Sequence, residues 1–236
     1  MNHRVALLIA GEYRTFETAI RTWDHLRDLE LDVYVSTSGP SLTEHRIREV
    51  LTALPHATVK GIRIGNPSDD EPQIVYGVSR MILNWRYAVQ LVDDSQLPYD
   101  ALIVQRPDLM VAGDKRNFHA HLEHLDPSTL YLISGDKETK WPKDSPPTPQ
   151  MNDQLFIGSL PVIRALSQVP YCELDTDIHR HLGQHLAHLP WKALWDCHPY
   201  AIVRPNVDPN HQLTFEYVRA CAKEWWETTH GGTYEG

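Results

Sequence analysis

Residues 99–109 read Tyr-Asp-Ala-Leu-Ile-Val-Gln-Arg-Pro-Asp-Leu, an apolar run closed by Arg106, Pro107 and Asp108. A run without polar alternation is the pattern of a parallel strand covered on both faces, and such strands belong to α/β sheets with helices on either side. In open sheets of this kind ligands sit outside the carboxyl ends of the strands. The run therefore predicts an architecture and a place within it. A cation and a carboxylate stand where a buried strand emerges.

The flanking sequence extends this pattern. Val5–Ala10 reads as a strand followed by Gly11, Thr18–Leu29 has helical spacing, and Leu31–Val35 is a second strand ending in Ser36, Thr37, Ser38 and Gly39. Ser41–Leu54 reads as a helix with Ser41 as N-cap and Glu44 completing a capping box, and Val59–Ile64 as a third strand. Val78–Val92 places Met81, Ile82, Trp85, Ala88, Val89 and Val92 on one stripe, as a helix lying on a sheet does. It leads into a strand at Ala101–Gln105. After the apolar segment Leu109–Ala112, a helix near residues 119–125 precedes a strand at Leu130–Ile133. A strand at Leu155–Ile157, helices at Pro161–Ser167 and Asp175–Leu189, and a strand at Ala201–Val203 complete the reading. Alternating strands and helices imply a mostly parallel, right-handed α/β layer. Lys137–Gln150, polar and proline-dense around Trp141, is either surface loop or lid, and the tail from 230 to 236 reads as frayed.

A chain of 236 residues, 42% hydrophobic, buries one substantial core, so a single domain is the expectation. A formal charge of -9 argues against indiscriminate attraction to nucleic-acid backbones. No stretch approaches the roughly 20 apolar residues of a membrane span, and the opening enters a strand without a cleavage signature, so a cytoplasmic protein is expected. Cys172, Cys197 and Cys221 form no close pair and read as reduced thiols. The turn Gly11-Glu12-Tyr13-Arg14 has one glycine where a dinucleotide fold needs several. No GxxxxGK[ST], GxSxG or HExxH occurs. Hydride transfer, P-loop hydrolysis and the commonest hydrolase chemistries lose support.

Five segments in order, RVALLIAGEYRTFE, LDVYVSTS, LNWRYAVQLVDDSQLPYDALIVQRPDL, NDQLFIGSLPVI, and DIHRHLGQHL with AIVRPN, resemble small bacterial and phage sugar transferases of the GT-A type. The resemblance implies a GT-A-like (Rossmann-like) single domain over residues 1–229. The nucleotide-binding half would be about 1–115 and the acceptor half about 116–229. It also implies a nucleotide-sugar donor, UDP-linked, and a hydroxyl acceptor. In that family an Asp-x-Asp triplet holds a divalent metal, Mg²⁺ or Mn²⁺, against the donor diphosphate. Here the triplet is Arg106-Pro107-Asp108, which leaves Asp108 as metal ligand and offers Arg106 as a direct phosphate partner. Gly11, Arg14, Thr37, Arg106 and Trp141 are the implied donor contacts, Asp108 and Arg106 flank the reaction, and Asp153 is the candidate base for the acceptor proton.

Each residue has a plainer role beside this one. Arg14 can pair with a surface acid, Asp108 can brace a loop, and Asp153, Ser36 and Thr37 can be turn residues, with Trp141 a loop anchor. His181, His185 and His188 share a helical face at the core boundary, where structural histidines are commoner than zinc ligands, and nothing fixes a role for His198 or His211. A cell-surface glycan is the first acceptor. Hydroxymethylated pyrimidine in DNA is the second, if Lys137, Lys140, Lys143, Lys192 and Arg204 converge into a groove. A non-catalytic nucleotide-binding module and an unrelated α/β scaffold are the rival classes. The transferase reading expects Arg14, Arg106 and Asp108 to face one open crevice.

Overall fold

The computed structural model describes residues 4–39, 41–65, 77–111, 115–133, 135–136, 149–172, 177–194 and 200–202. Among them, strands β1 (Val5–Glu12), β2 (Leu31–Ser38), β3 (Ala57–Ile64), β4 (Ala101–Gln105), β6 (Leu130–Leu132), β9 (Leu155–Gly158) and β10 (Trp191–Ala193) form one sheet in the order β10-β6-β9-β4-β1-β2-β3. β5 (Leu109–Val111) pairs with β11 (Tyr200–Ile202), and β7 (Gly135–Asp136) with β8 (Gln150–Met151). All neighbours in the large sheet are parallel except β9, which runs antiparallel to both β4 and β6. The architecture is the α/β, mostly parallel one that the apolar runs predict.

The core shows why those runs lack alternation. Val5, Leu7 and Ile9 of β1 point into one apolar layer while Ala6, Leu8 and Ala10 point into the other. The first layer is closed by α1 (Phe16–Ala19), α2 (Glu44–Leu51) and α4 (Lys115–Glu123), through Phe16, Ile47, Leu51 and Phe118. The second is closed by α3 (Gly77–Ser95), α5 (Leu160–Gln168) and α6 (Ile178–Leu186), through Trp85, Val89, Ile163, Leu166 and Leu182. Each large side chain so buried contributes roughly 1.5–3 kcal/mol. Two covered faces leave only the strand ends for chemistry.

Several helix boundaries differ from the sequence reading. The segment expected to be one helix over Thr18–Leu29 is a single α-turn, α1, followed by 3₁₀ turns at Ile20–Thr22 and Asp24–Leu26. Tertiary contacts bend it: the Trp23 indole donates to the Leu109 carbonyl at 2.7 Å, and the Thr22 hydroxyl accepts from the Val111 amide at 3.0 Å. Helix α2 begins at Glu44, capped by Thr43, whose hydroxyl accepts from the Arg46 amide at 3.2 Å. Ser41 has φ +56° and is not the cap. The later helix is also shorter than expected, running from Ile178 to Leu186 with Asp177 as N-cap.

The path of the chain fixes the site. From β1 it steps outward through β2 to β3, and α3 then carries it back to β4 on the other flank of β1. Strand order reverses between β1 and β4, the switch point outside whose carboxyl ends α/β sheets bind ligands. Gly11 and the Arg106-Pro107-Asp108 turn lie there. Gly11 has φ +142°, and a Cβ on it would stand 3.1 Å from Pro107 Cδ, so only glycine lets the two strand ends approach.

Candidate active site

Four ionisable side chains from three parts of the chain join in one network at the end of β4. The Arg106 carbonyl accepts from the Leu109 amide at 3.3 Å, closing a turn with Pro107 at its second position that curls Asp108 back on Arg106. Arg106 donates through Nε to Asp108 Oδ1 at 2.9 Å and through Nη2 to Oδ2 at 2.8 Å, a bidentate pair. The antiparallel register sets Gln105 against Leu155, and the Arg106 amide donates to the Gln154 carbonyl at 3.0 Å. That pairing delivers Asp153, whose Oδ2 accepts from Arg106 Nη1 at 2.6 Å. Asp153 Oδ1 lies 3.2 Å from His179 Nε2, in the first turn of α6.

Exposure changes along the network. The side chains of Asp108 and Asp153 are 4% and 5% exposed and that of Arg106 is 17%, whereas His179 is 40% exposed. Burial alone would push the Asp153 carboxyl up, but the hydrogen bond from His179 and the charge of Arg106 outweigh it and hold the group below its ordinary value. Burial likewise works against the charge on Arg106, and its bonds to Asp108 and the Asp153 charge reverse the effect, so the guanidinium stays charged. The hydrogen bond to Asp153 raises the His179 imidazole above its ordinary 6.5 against partial burial. A buried ion cluster with one solvent-facing imidazole is the result.

Beside it opens a cleft of about 560 Å³ at the carboxyl ends of β1, β2 and β3, lined by Glu12, Arg14, Ser38, Gly39, Ile64, Gly65 and Arg80. Arg14 pairs with Glu12 and both remain part-exposed. Arg14 also holds φ +22°, unusual backbone for a residue other than glycine. Arg80, in the first turn of α3, has a buried Nε with no hydrogen-bond partner. Sequence reasoning missed this residue, since nothing in Ser-Arg-Met-Ile marks its arginine as facing a crevice.

The expected single crevice is thus two adjoining features. Arg14 lines the cleft, while Arg106 and Asp108 are turned on each other and are absent from its lining. Two contacts join the parts: Gly11, one residue before Glu12, abuts Pro107, and Arg106 Nη1 lies 3.8 Å from Sδ of Met81, one residue after Arg80. Thr37 is buried at the end of β2, its hydroxyl without a partner and its carbonyl accepting from the Gly65 amide at 3.1 Å. The neighbouring Ser36 hydroxyl donates to Asn84 of α3 at 2.9 Å. His181 and His185 stack with ring centroids 4.5 Å apart; His181 bonds the Pro170 carbonyl and His188 the His185 carbonyl. Trp141, His198, His211, Lys137, Lys140, Lys143, Arg204 and the tail 230–236 lie outside the described residues; Lys192 is exposed on β10.

The residues do not fit a divalent ion on Asp108. Both of its oxygens already bind Arg106, so a divalent ion, which needs one or two carboxylates beside the substrate phosphates, would sit against a fixed guanidinium with only a carboxylate already paired to a cation. Among the described residues no three His, Cys, Asp or Glu side chains form a cation-binding group. No helix among them is long and apolar enough to cross a membrane.

No protein-family profile and no curated protein sequence matches the chain. Among solved structures it is similar to the bifunctional glycosyltransferase WbbM in its apo form, at 11% identity and TM-score 0.49 over 82% of this chain and 39% of that one. It is also similar to the galactosyltransferase LgtC in complex with donor and acceptor sugar analogues, at 10% identity and TM-score 0.43 over 66% of this chain and 58% of that one. Mouse xyloside xylosyltransferase 1 aligns at 12% identity and TM-score 0.43 over 82% and 85%. The chain spans 39% and 58% of the lengths of the first two. At these identities and TM-scores the likeness assigns neither substrate nor site residue to this chain.

Proposed function

We propose that the protein is a glycosyltransferase that moves a sugar from a nucleotide-sugar, UDP-linked, to a hydroxyl group of a glycan. The observation that carries this reading is the cleft at the carboxyl ends of β1, β2 and β3, with Arg14 and Arg80 on its walls and the buried ion cluster of the adjoining β1–β4 switch point beside it. In sugar transfer the bond between the anomeric carbon and a phosphate oxygen breaks, and the departing nucleoside diphosphate gathers negative charge. Arginines on the walls of a cleft stabilise that charge through bidentate hydrogen bonds. Gly11 seats the Pro107 turn against the end of β1 beside the cleft, and the Thr37 carbonyl holds Gly65 of the cleft lining. Residues of about 1–115 hold the donor and those of about 116–229 the acceptor. Arg106, anchored by Asp108, is a fixed cation at the junction.

Thermal-shift titration with nucleoside diphosphates and a panel of nucleotide-sugars, with and without EDTA, tests the donor. Saturable stabilisation is expected, about 2.7 kcal/mol at a hundredfold excess over Kd, and chelator leaves it unchanged. Transfer is then followed onto glycan acceptors, with hydroxymethylated DNA as the competing acceptor. No saturable nucleotide binding removes the reading, and binding without turnover on any acceptor replaces it with a non-catalytic nucleotide-binding module.

A further inference from the structure

We infer that His179 is the catalytic base of this reaction, with Asp153 as its positioning residue; the inference rests on the glycosyltransferase reading above. Asp153 itself is poorly suited to take the acceptor proton. Its two carboxylate oxygens are occupied by Arg106 and His179, and its side chain is almost wholly buried. His179 is the member of the cluster that solvent, and therefore an acceptor, reaches.

The tautomer follows from the partners. An ionised carboxylate only accepts hydrogen bonds, so the 3.2 Å contact to Asp153 places the imidazole proton on Nε2. Nδ1 is left with its lone pair, the form a base needs. Two further contacts hold the residue in place. The Asp177 carboxylate caps α6 by accepting from the His179 amide at 3.0 Å, and Gly183, one turn along, lies so close to residue 149 that a Cβ there would stand 1.7 Å from the Pro149 carbonyl oxygen. Behind Asp153, the Arg106–Asp108 pair keeps the carboxylate ionised, so it orients the imidazole and stabilises the imidazolium without accepting the proton.

The step balances as one displacement. The acceptor oxygen bonds to the anomeric carbon as its proton passes to His179 Nδ1, and the bond from that carbon to the diphosphate oxygen breaks with its electron pair leaving on the nucleotide. The imidazolium then loses its proton to water. The contacts of Pro107 with Gly11 and of Arg106 with Met81 bring the cluster against the donor cleft, on the side away from β2 and β3. Among the described residues, the charged groups that bear on His179 are Asp153 before β9, Arg106 after β4 and Asp177 at its own helix cap.

The test compares His179→Gln with the parent enzyme in transfer rate, nucleoside-diphosphate affinity and pH profile. Transfer is expected to fall about 100-fold or more, as removal of a general base does, with affinity for UDP unchanged. The parent kcat/KM should rise with pH through a single ionisation above 6.5, and that limb should vanish in His179→Gln. Asp153→Asn should keep the limb but move it down in pH, a change that loss of mere scaffolding does not produce. NMR titration of the His179 ring in the parent protein reads the same coupling without turnover. Full transfer by His179→Gln, or an unchanged acid limb in it, overturns the assignment while leaving the transferase reading intact. Failure of the parent to transfer from any donor overturns both.

Discussion

The cleft at the ends of β1–β3 and the cluster at the ends of β4 and β9 are both charged, yet they treat charge in opposite ways. In the cleft, Arg14 and its acid partner are open to solvent and Arg80 carries a nitrogen without a partner. In the cluster, Arg106 satisfies two carboxylates that solvent hardly touches. Exposed pairs of the first kind hold little folding energy, whereas breaking a buried pair leaves a charge stranded. The cleft is built to meet charge brought by a ligand, and the cluster to keep its own charges fixed.

Removing Arg106 should break this contrast most severely. Arg106→Ala strands Asp108 and Asp153 and should cost about 3–5 kcal/mol of stability, read by urea denaturation; a loss below about 1 kcal/mol means the cluster is not the closed unit described. Arg14→Ala and Arg80→Ala should instead change stability by no more than about 0.5 kcal/mol while weakening UDP binding about tenfold, by calorimetry. Equal effects on stability in both regions erase the distinction.

The smallest effect is in the pH dependence of stability. Asp153, held below its ordinary 3.8, contributes stability that is present above that pH and lost as pH falls through its depressed value. His179, raised above 6.5, contributes stability that is full below 6.5 and lost as pH rises through its elevated value. Their joint contribution is therefore complete between 3.8 and 6.5. Denaturation curves across pH should show His179→Gln removing the loss on the alkaline side and Asp153→Asn removing the loss on the acid side. Parallel curves for parent and variants separate the pair from the stability of the fold.

The central strands β1, β2, β4 and β9 were legible because they are buried on two faces, which leaves a continuous apolar signal, and because each run stops at glycine, serine or charge; β3, partly exposed along its length, shows alternation instead. The end of β4 was legible for the same reason. What the sequence hides is decided by long-range contacts. Trp23 bonds a carbonyl 86 residues away and breaks a helix that local spacing predicts. His179 sits two residues from His181, and only the approach of Asp153, 26 residues earlier, distinguishes the one from the other. Arg80 is an ordinary arginine in sequence, whereas Arg106 is marked by its place at a strand end but not by its partners, and the fold gives the first an open cleft and the second two carboxylates.

The tight seat of Gly183 has a use outside this molecule. Because no side chain fits there, a chain that seats the same helix against the same segment would repeat the spacing of Asp177, His179 and Gly183, an acid two places before the ring and a bare backbone one helical turn after it. That short fingerprint, together with Arg-Pro-Asp closing an apolar strand, offers a means of finding distant kin whose overall resemblance has faded.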